Sequence, residues 1–431
     1  MRPSDRRLVV IAVVGAAVGL GAAVWVSPDS DDDSSSSVGG TPDVTIAPGV
    51  TAADVPPAPA AVAAAPPAAA GALPSAAGQV ATTTIDPDAP RALSMLLTGD
   101  ILAENPVLEA GRRGGEVSGA RYDFTALFAP IAPLVQSFDL AVCQMELPLG
   151  RPDEEPGAKG RSPHGGNRLL SPYEFAPNLR DAGFDRCTTA SNHSYDVGDA
   201  GIDSTIDALE GVGISWSGTA RLPAEVPPPV FDVNGVRVAH LSYTRYSNTD
   251  LPTEDWRLAY TENAARVARE VTEARAAGAE VVVVSIHLSK ELLEEPLDET
   301  RAFAAAVIAS SDVDAVVHHG PHVVQGFELV DGTPVWWSIG NLLSGMARPN
   351  ASDRYTDPRT RDGLGAVLRF TETAPGVWDT EAASIVLCNE SASRVIHAGV
   401  AASEDPALAP AIRDELAGCV ERTRAAIPDA G

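Results

Sequence analysis

Polar residues close a series of short apolar runs along the chain. Residues 91–100 (containing SMLLTGD), 138–146 and 184–191 read as buried strands, and each ends on a polar group. Residues 134–137, 174–182 and 203–210 supply helical punctuation between and after them. In FDVNGVRVAHLSYT an Asn234-Gly235 pair separates two alternating runs, which predicts a tight hairpin. Residues 263–277 follow as a helix, and 280–287 form a continuous valine-rich run typical of a strand covered on both faces. An amphipathic helix over 301–310 precedes the strand DAVVHH. A second hairpin turns at Asp331-Gly332 and returns through PVWWSIGN, and AVLRFTET and TEAASIVLCN close the series as antiparallel strands. Alternating strands and helices predict an α/β fold, and no internal repeat is visible.

The N-terminal quarter has a different pattern. Arg2, Arg6 and Arg7 precede an uncharged stretch from Leu8 to Val26, roughly 28 Å long at ~1.5 Å per residue, about one bilayer core. It reads as a single membrane helix entered from the cytoplasmic side; a signal peptide cleaved near Gly21, Ala22 and Ala23 is the alternative. The anchor is favoured because the apolar run continues through Val24, Trp25 and Val26. Both readings put the rest of the chain outside the cytoplasm. From 28 to 90 the composition is Ala, Pro, Ser and Asp without hydrophobic period, the signature of a disordered tether. The expected organisation is thus an anchor over 1–27, a linker over 28–90, a folded domain over 91–400 and a helical tail over 401–431.

Of the 431 residues, 31 are Lys or Arg and 58 are Asp or Glu, a formal net charge of -27, with 5% aromatics. That balance disfavours a collagen, a coiled coil and a nucleic-acid binder. An anionic substrate would need a local cation to offset such a field, although acidity also simply keeps secreted proteins soluble. The four cysteines, Cys143, Cys187, Cys388 and Cys419, lack CxxC spacing, and an extracytoplasmic location permits disulfides. Of three pairings, Cys143 with Cys187 and Cys388 with Cys419 is favoured, since the first two sit in similar apolar segments that would make neighbouring strands; buried free thiols are the alternative.

Ligand-type side chains fall repeatedly at strand ends: Asp100 after LLTG, Glu146 after AVCQM, Asn192-His193 after TTAS, His287 after VVVVSI, and His318, His319 and His322 after DAVV. Open α/β sheets place their sites there. A lone histidine at such a position is more often structural, but five strand ends converging on carboxylate, amide and imidazole suit a borderline cation such as Zn, Mn or Fe. One or two such ions would generate hydroxide near neutral pH and neutralise an anionic transition state. His240 and His397 read as packing residues, and His164, in SPHGGNRLLSP, as part of the mouth of the site. No GxGxxG follows the first strand, so a dinucleotide fold is excluded.

The folded part resembles the CapA family, the poly-γ-glutamate capsule biosynthesis proteins, grouped with the calcineurin-like metallophosphatases. The carriers are TGD (98–100), QMELPL (144–149), TASNHSYDVGDAGIDST (189–205), SIHLSKE (285–291), HHGPHVVQGFE (318–328) and WSIGNLL (337–343). The resemblance implies a layered β-sheet sandwich flanked by helices. It implies metal ligation by Asp100, Asn192, His287, His319 and His322, with His193 as general acid. Glu146 would complete the metal site or bind a substrate amine, and Asp196 would orient a histidine or cap the next helix. Ile101 and Leu102 follow Asp100 where the superfamily has Asp-x-His, a departure that counts against a full two-metal site; one or two ions are the expected cofactor. The implied role is a membrane-anchored hydrolase or transferase acting on phosphoesters or an amide-linked anionic polymer, or else a non-catalytic polymer-holding subunit beside a membrane synthase.

Overall fold

The computed structural model describes residues 90–226, 229–288, 290–347 and 356–428, together with the backbone of Leu8–Val10. The anticipated linker and the remainder of the anticipated membrane helix lie outside the described residues. Among the described residues, no helix is long and apolar enough to cross a membrane.

Two large sheets make up most of the folded part, with a separate two-stranded ribbon, Gly157–Arg161 paired with Asn167–Leu170. Across the first, the order is Val377–Asn389, Asp362–Ala374, Ala92–Leu102, Leu140–Met145, Arg186–Thr188 and Ser215–Ser217. Leu8–Val10, anticipated as the start of the membrane helix, is instead a short strand pairing parallel with the outer side of Val377–Asn389, and Asn341–Ser344 runs parallel to the end of Ala92–Leu102. The second sheet runs Val324–Val330, Thr333–Ile339, Ala315–His319, Val281–His287, Val236–Thr244 and Phe231–Val233.

The valine run shows why they stack. Successive strand residues point to opposite faces. Val281 and Val283 therefore join Val236, Val238, Ala315 and Val317 in a core shared with Leu93, Met95, Leu97, Leu140 and Val142 of the first sheet. Val282 and Val284 face the other way and pack with Val267, Val271, Phe303 and Val307 of the helices Ala264–Ala276 and Asp298–Ser310. On the outer side of the first sheet, Leu96, Ala141 and Met145 pack against Val107, Leu179 and Leu209, each from a different helix. Strands buried on both faces need no polar alternation, which is why the sequence shows runs instead. The resulting order is helices, sheet, sheet, helices, and the α/β class is as expected.

Both anticipated hairpins are present, with positive φ at Asn234 (53°) and Gly235 (83°) and at Asp331 (49°) and Gly332 (82°), as a two-residue loop between twisted strands demands. Asn263 caps the helix after it by accepting from the Ala265 amide at 3.0 Å. Among the longer helices, one was not foreseen, Asn105–Ser118 (NPVLEAGRRGGEVS), because glycines dilute its propensity. Packing explains them: a Cβ on Gly111 would lie 2.2 Å from the Phe124 ring, and one on Gly114 would lie 2.1 Å from the Asp123 carbonyl.

Cys143 and Cys187 sit directly opposite on adjacent parallel strands and form a disulfide, with Cα atoms 4.5 Å apart. The second disulfide, Cys388–Cys419, ties the helix Pro410–Ala426 to the strand Val377–Asn389. That helix buries Leu416, Cys419 and Val420 in the core between the sheets, and its Arg422 donates to Asp362 at 2.6 and 2.8 Å. Replacing both Cys388 and Cys419 by Ala is expected to cost about 2 to 4 kcal/mol, read as a lower urea midpoint at an unchanged slope. An unchanged midpoint would show that helix packing alone holds the end of the sandwich.

Candidate metal centre

The core between the sheets changes character along the strands. Val281 and Val283 are followed on the same face by Ser285 and His287; Ala315 and Val317 by His319; Leu140 and Val142 by Gln144 and Glu146. Asp100 ends the equivalent row on Ala92–Leu102, beyond an irregularity in its pairing with Leu140–Met145. The apolar core thus rises into a polar cap at the carboxyl ends of the parallel strands, where such sheets place ligands.

Asp100, Glu146, His287, His319 and His322 are each at most 3% exposed. Ligand atoms of Asp100, Glu146 and His287 lie within 4.8 Å of one another. His319 Nδ1 is 3.3 Å from Asp100 Oδ1, His322 Nδ1 is 3.3 Å from Asp100 Oδ2, and Glu146 Oε1 is 3.8 Å from His287 Nε2 and 3.7 Å from His322 Nε2. The contacts are close but poorly aligned. Asp100 Oδ1, both oxygens of Glu146 and both ring nitrogens of His319 are buried without a hydrogen-bond partner among the described residues. Leaving a buried polar atom unpaired costs about 1 to 3 kcal/mol, more for a charged one. A cation shared by these atoms removes that cost, and carboxylate with imidazole is a donor set for Zn, Mn or Fe.

Electrostatics agree. Burial favours the neutral acid at Asp100, but His319, His322 and His287 around it hold its carboxyl well below the usual carboxylate range. Burial pushes Glu146 up to about 8, with His322 opposing and Asp100 reinforcing the shift. Burial acts against the charged form of His322 too, yet Glu146 and Asp100 drive it up to about 10, whereas burial takes His287 down to about 3. Protons held on Glu146 and His322 are those that a bound cation displaces.

The supports are specific. Gly320 N donates to Asp100 Oδ2 at 3.0 Å, and a Cβ on Gly320 would lie 2.9 Å from His287 Nε2 and 2.4 Å from Leu288 O. His322 adopts φ 60°, uncommon for a side chain with a Cβ, and pairs through Nδ1 with Asn341 Oδ1 at 2.9 Å. Asn341 is held in turn by its Nδ2 donating to Thr360 O at 2.8 Å. Gln144 meets His287 Nδ1 at 3.4 Å through its amide nitrogen, while its Oε1 is buried without partner. Turning that amide satisfies Oε1 with the Nδ1 proton and leaves Nε2 a free lone pair toward Glu146.

Asn192 and His193 sit beside the cluster in an open, largely polar cleft of about 480 Å³, which is also lined by His164, Asn248 and His322. Asn192 Oδ1 is buried and unpartnered, as a ligand oxygen would be. His193 Nδ1 is 2.6 Å from Asp196 Oδ2, the same oxygen that accepts from Leu169 N at 2.7 Å. Asp196 therefore orients His193; Gly198, not Asp196, occupies the N-cap of the helix Asp199–Gly211. The negative charge of Asp196 outweighs burial and raises the His193 pKa. His164 lies at the mouth, paired with Asp250 at 2.9 Å.

His318 turns away from the cluster, its Nδ1 against Trp336 O at 3.0 Å and its ring stacked on Trp337. His397 pairs with Glu390 at 2.7 Å, and His240 is buried with Arg186. Three residues not singled out beforehand carry the site's geometry. Ser191 Oγ donates to Glu146 O at 2.6 Å and accepts from His193 N at 3.0 Å, joining two strand ends. Asn248 bonds Asn192 and contacts the His193 ring. Asn341 locks His322. Only WSIGN, a strand ending on a buried amide, hinted at the last of these.

Residues 94–346 match the family model for the bacterial capsule synthesis protein PGA_cap. The capsule biosynthesis protein CapA of Bacillus anthracis is 26% identical over 257 residues, 58% of this chain and 59% of that protein. The PGA biosynthesis protein CapA of Bacillus subtilis is 27% identical over 177 residues, 41% of this chain and 46% of that protein. The matched stretches thus span about half the length of these curated relatives. Solved structures with a partial likeness include a phosphatase from Mycoplasma pneumoniae (TM-score 0.39, 15% identity, 69% of this chain and 94% of that one). Another is the calcineurin-like phosphoesterase YfkN from Bacillus subtilis (TM-score 0.38, 13% identity, 78% of this chain and 97% of that one). At those scores the likeness carries no conclusion about chemistry.

Because Asn341 fixes His322, Asn341→Ala is expected to weaken metal affinity about 10- to 100-fold while the fold persists. Competition against a fluorescent chelator, beside a thermal melt, measures both; unchanged affinity would remove His322 from the ligand set.

Proposed function

The chain belongs to the PGA_cap family of bacterial capsule synthesis proteins, and from that membership we propose that it is a membrane-anchored, extracytoplasmic, metal-dependent hydrolase or transferase. It acts on phosphoester or amide links of an anionic capsule or cell-envelope polymer, poly-γ-glutamate being the first candidate. The observation that carries this reading is the buried set of unpartnered donors at Asp100, Glu146 and His319 opening beside the His193–Asp196 pair.

Asp100, Glu146, His287, His319 and His322 would hold the ion, with Asn192 at the cleft side. A bound ion there supplies Lewis acidity and a nucleophilic hydroxide near neutral pH. The chain's own residues do the rest. His193, its Nδ1 held by Asp196 and its pKa raised, keeps a proton available at Nε2 for a leaving oxygen or nitrogen. Asn248, against the same ring, fixes it in the cleft and holds Asn192 by a 2.8 Å backbone bond. With an ion bound and its proton displaced, Glu146, whose oxygens have no hydrogen-bond partner among the described residues, would add a second negative charge beside Asp100. Polar walls at Asn105, Asn167 and Asn248 suit a hydrated polymer more than an apolar ligand.

An anchor in the uncharged stretch that follows the strand Leu8–Val10 and runs to Val26 would keep the site at the membrane surface beside a synthase. Deleting residues 11–26 is expected to move the protein from the membrane to the soluble fraction on ultracentrifugation; equal sedimentation would remove the anchor.

His193→Ala is expected to lower kcat at least ~100-fold toward bis(p-nitrophenyl) phosphate or poly-γ-glutamate, with metal content unchanged. Asp196→Asn should cost about 10-fold or more by the same assay. Stopped turnover with the ion retained supports a catalytic role. If the metal-loaded wild type turns over neither substrate but still binds the polymer, the hydrolase reading fails and the polymer-holding role takes its place.

A further inference from the structure

A second cavity, of about 350 Å³, opens between the edge strand Ser215–Ser217 of the first sheet and Val236–Thr244 of the second, and it shares no lining residue with the metal cleft. Its volume falls in the range of small-molecule sites, roughly 300 to 1,000 Å³. Trp216, Leu241, Tyr243 and Trp256 give it apolar walls.

The charges around it are unequally matched. Glu210 and Glu225 pair with Arg221 at 2.8 and 2.9 Å, and Glu270 pairs with Arg266 at 2.8 Å while accepting from the Tyr243 hydroxyl at 2.7 Å. Arg186 also lines the cavity and is 2% exposed, yet no carboxylate among the described residues lies within ion-pair distance of it. Its partners are neutral, and its guanidinium lies over the Phe231 ring, 4.8 Å from the centroid. Nε donates to His240 Nδ1 at 3.2 Å, Nη2 to His240 O at 3.2 Å, and Nη1 to Ser215 Oγ at 3.0 Å. His240 offers no counter-charge: burial and the nearby guanidinium hold its pKa well below the usual imidazole value, and its Nε2 is engaged by Ser285 Oγ at 2.9 Å.

A guanidinium has five N–H groups. Three are used here, so each terminal nitrogen keeps one hydrogen for an anion's oxygens. Burial lowers the Arg186 pKa to about 9, which leaves it charged at neutral pH. A buried cation with only neutral partners is costly, and an anion delivered from solution offsets that cost. We propose that this cavity binds a small organic anion, a carboxylate on an apolar body, with its oxygens on the terminal nitrogens of Arg186. A single unpaired cation matches a single negative charge; a phosphate dianion would add a charge facing three glutamates.

Isothermal titration of the full-length protein with phenylacetate, and with phenylacetamide as its neutral isostere, tests this. Saturable one-to-one binding of the acid is expected, with the amide at least ~10-fold weaker. Ala224→Trp, a filling change at the exposed lining of the cavity, should abolish binding at an unchanged melting temperature and metal content. Arg186→Met should erase the preference for the acid, and if that variant does not fold, Ala224→Trp still decides. Three results would overturn the proposal: no saturable binding by the folded wild type, equal affinity for acid and amide, or undiminished binding by Ala224→Trp.

Discussion

Two carboxylates and three imidazoles are buried together at the carboxyl ends of parallel strands with too few hydrogens to satisfy them, and most of the local architecture exists to hold them there. Asp100 takes one backbone bond from Gly320, and both oxygens of Glu146 take none. An apolar environment with nothing in return would not tolerate this, since a buried unpaired charge is among the most destabilising features a fold can carry. The side-chain pKa shifts point the same way: Glu146 and His322 are raised, so the cluster retains protons where a cation would otherwise supply the positive charge.

The rest of the sandwich can be understood as the frame for that cluster. Two sheets share an apolar core at the level of Val283, Val317, Leu97 and Val142, and two or three residues further along each strand that core becomes polar. Rigid strands carry Asp100, His287 and His319, and Glu146 follows directly on Leu140–Met145. Loops carry Asn192, His193 and His322, and each is tied down: His193 by Asp196 and Ser191, Asn192 by Asn248, His322 by Asn341 and by a positive φ. A positioned site on a scaffold of this kind would lose little on taking up a cation, because the candidate ligands are already in place.

Much of this was legible in the sequence because the physics is local. The runs VVVVSIH and DAVVHH declare strands covered on both faces, and Asn234-Gly235 and Asp331-Gly332 declare their hairpins through the one backbone conformation that those residues favour. Ligand-type residues at five strand ends located the centre, and the Cys143–Cys187 pair followed from reading their segments as neighbours. What stayed hidden depends on long-range contact. Asn341, Asn248 and Ser191 have no local signature; their roles arise only when segments 19, 56 and 45 residues apart in sequence meet. Asp196 could equally have capped a helix until Leu169 and His193 were seen to share its carboxylate. Helix Asn105–Ser118 was obscured by glycines that its packing against Phe124 and Asp123 requires. Arg186, an ordinary charged residue in FDRCTT, gave no hint that it would be buried without a carboxylate.

The central claim is that Asp100, Glu146 and the three imidazoles are an ion-binding set. Elemental mass spectrometry of the purified full-length protein, beside Asp100→Ala and His287→Ala, tests it most directly. The account predicts one or two equivalents of Zn, Mn or Fe per chain in the wild type and loss of metal in both variants. Wild-type protein that is folded yet takes up none of these ions when they are supplied would contradict it.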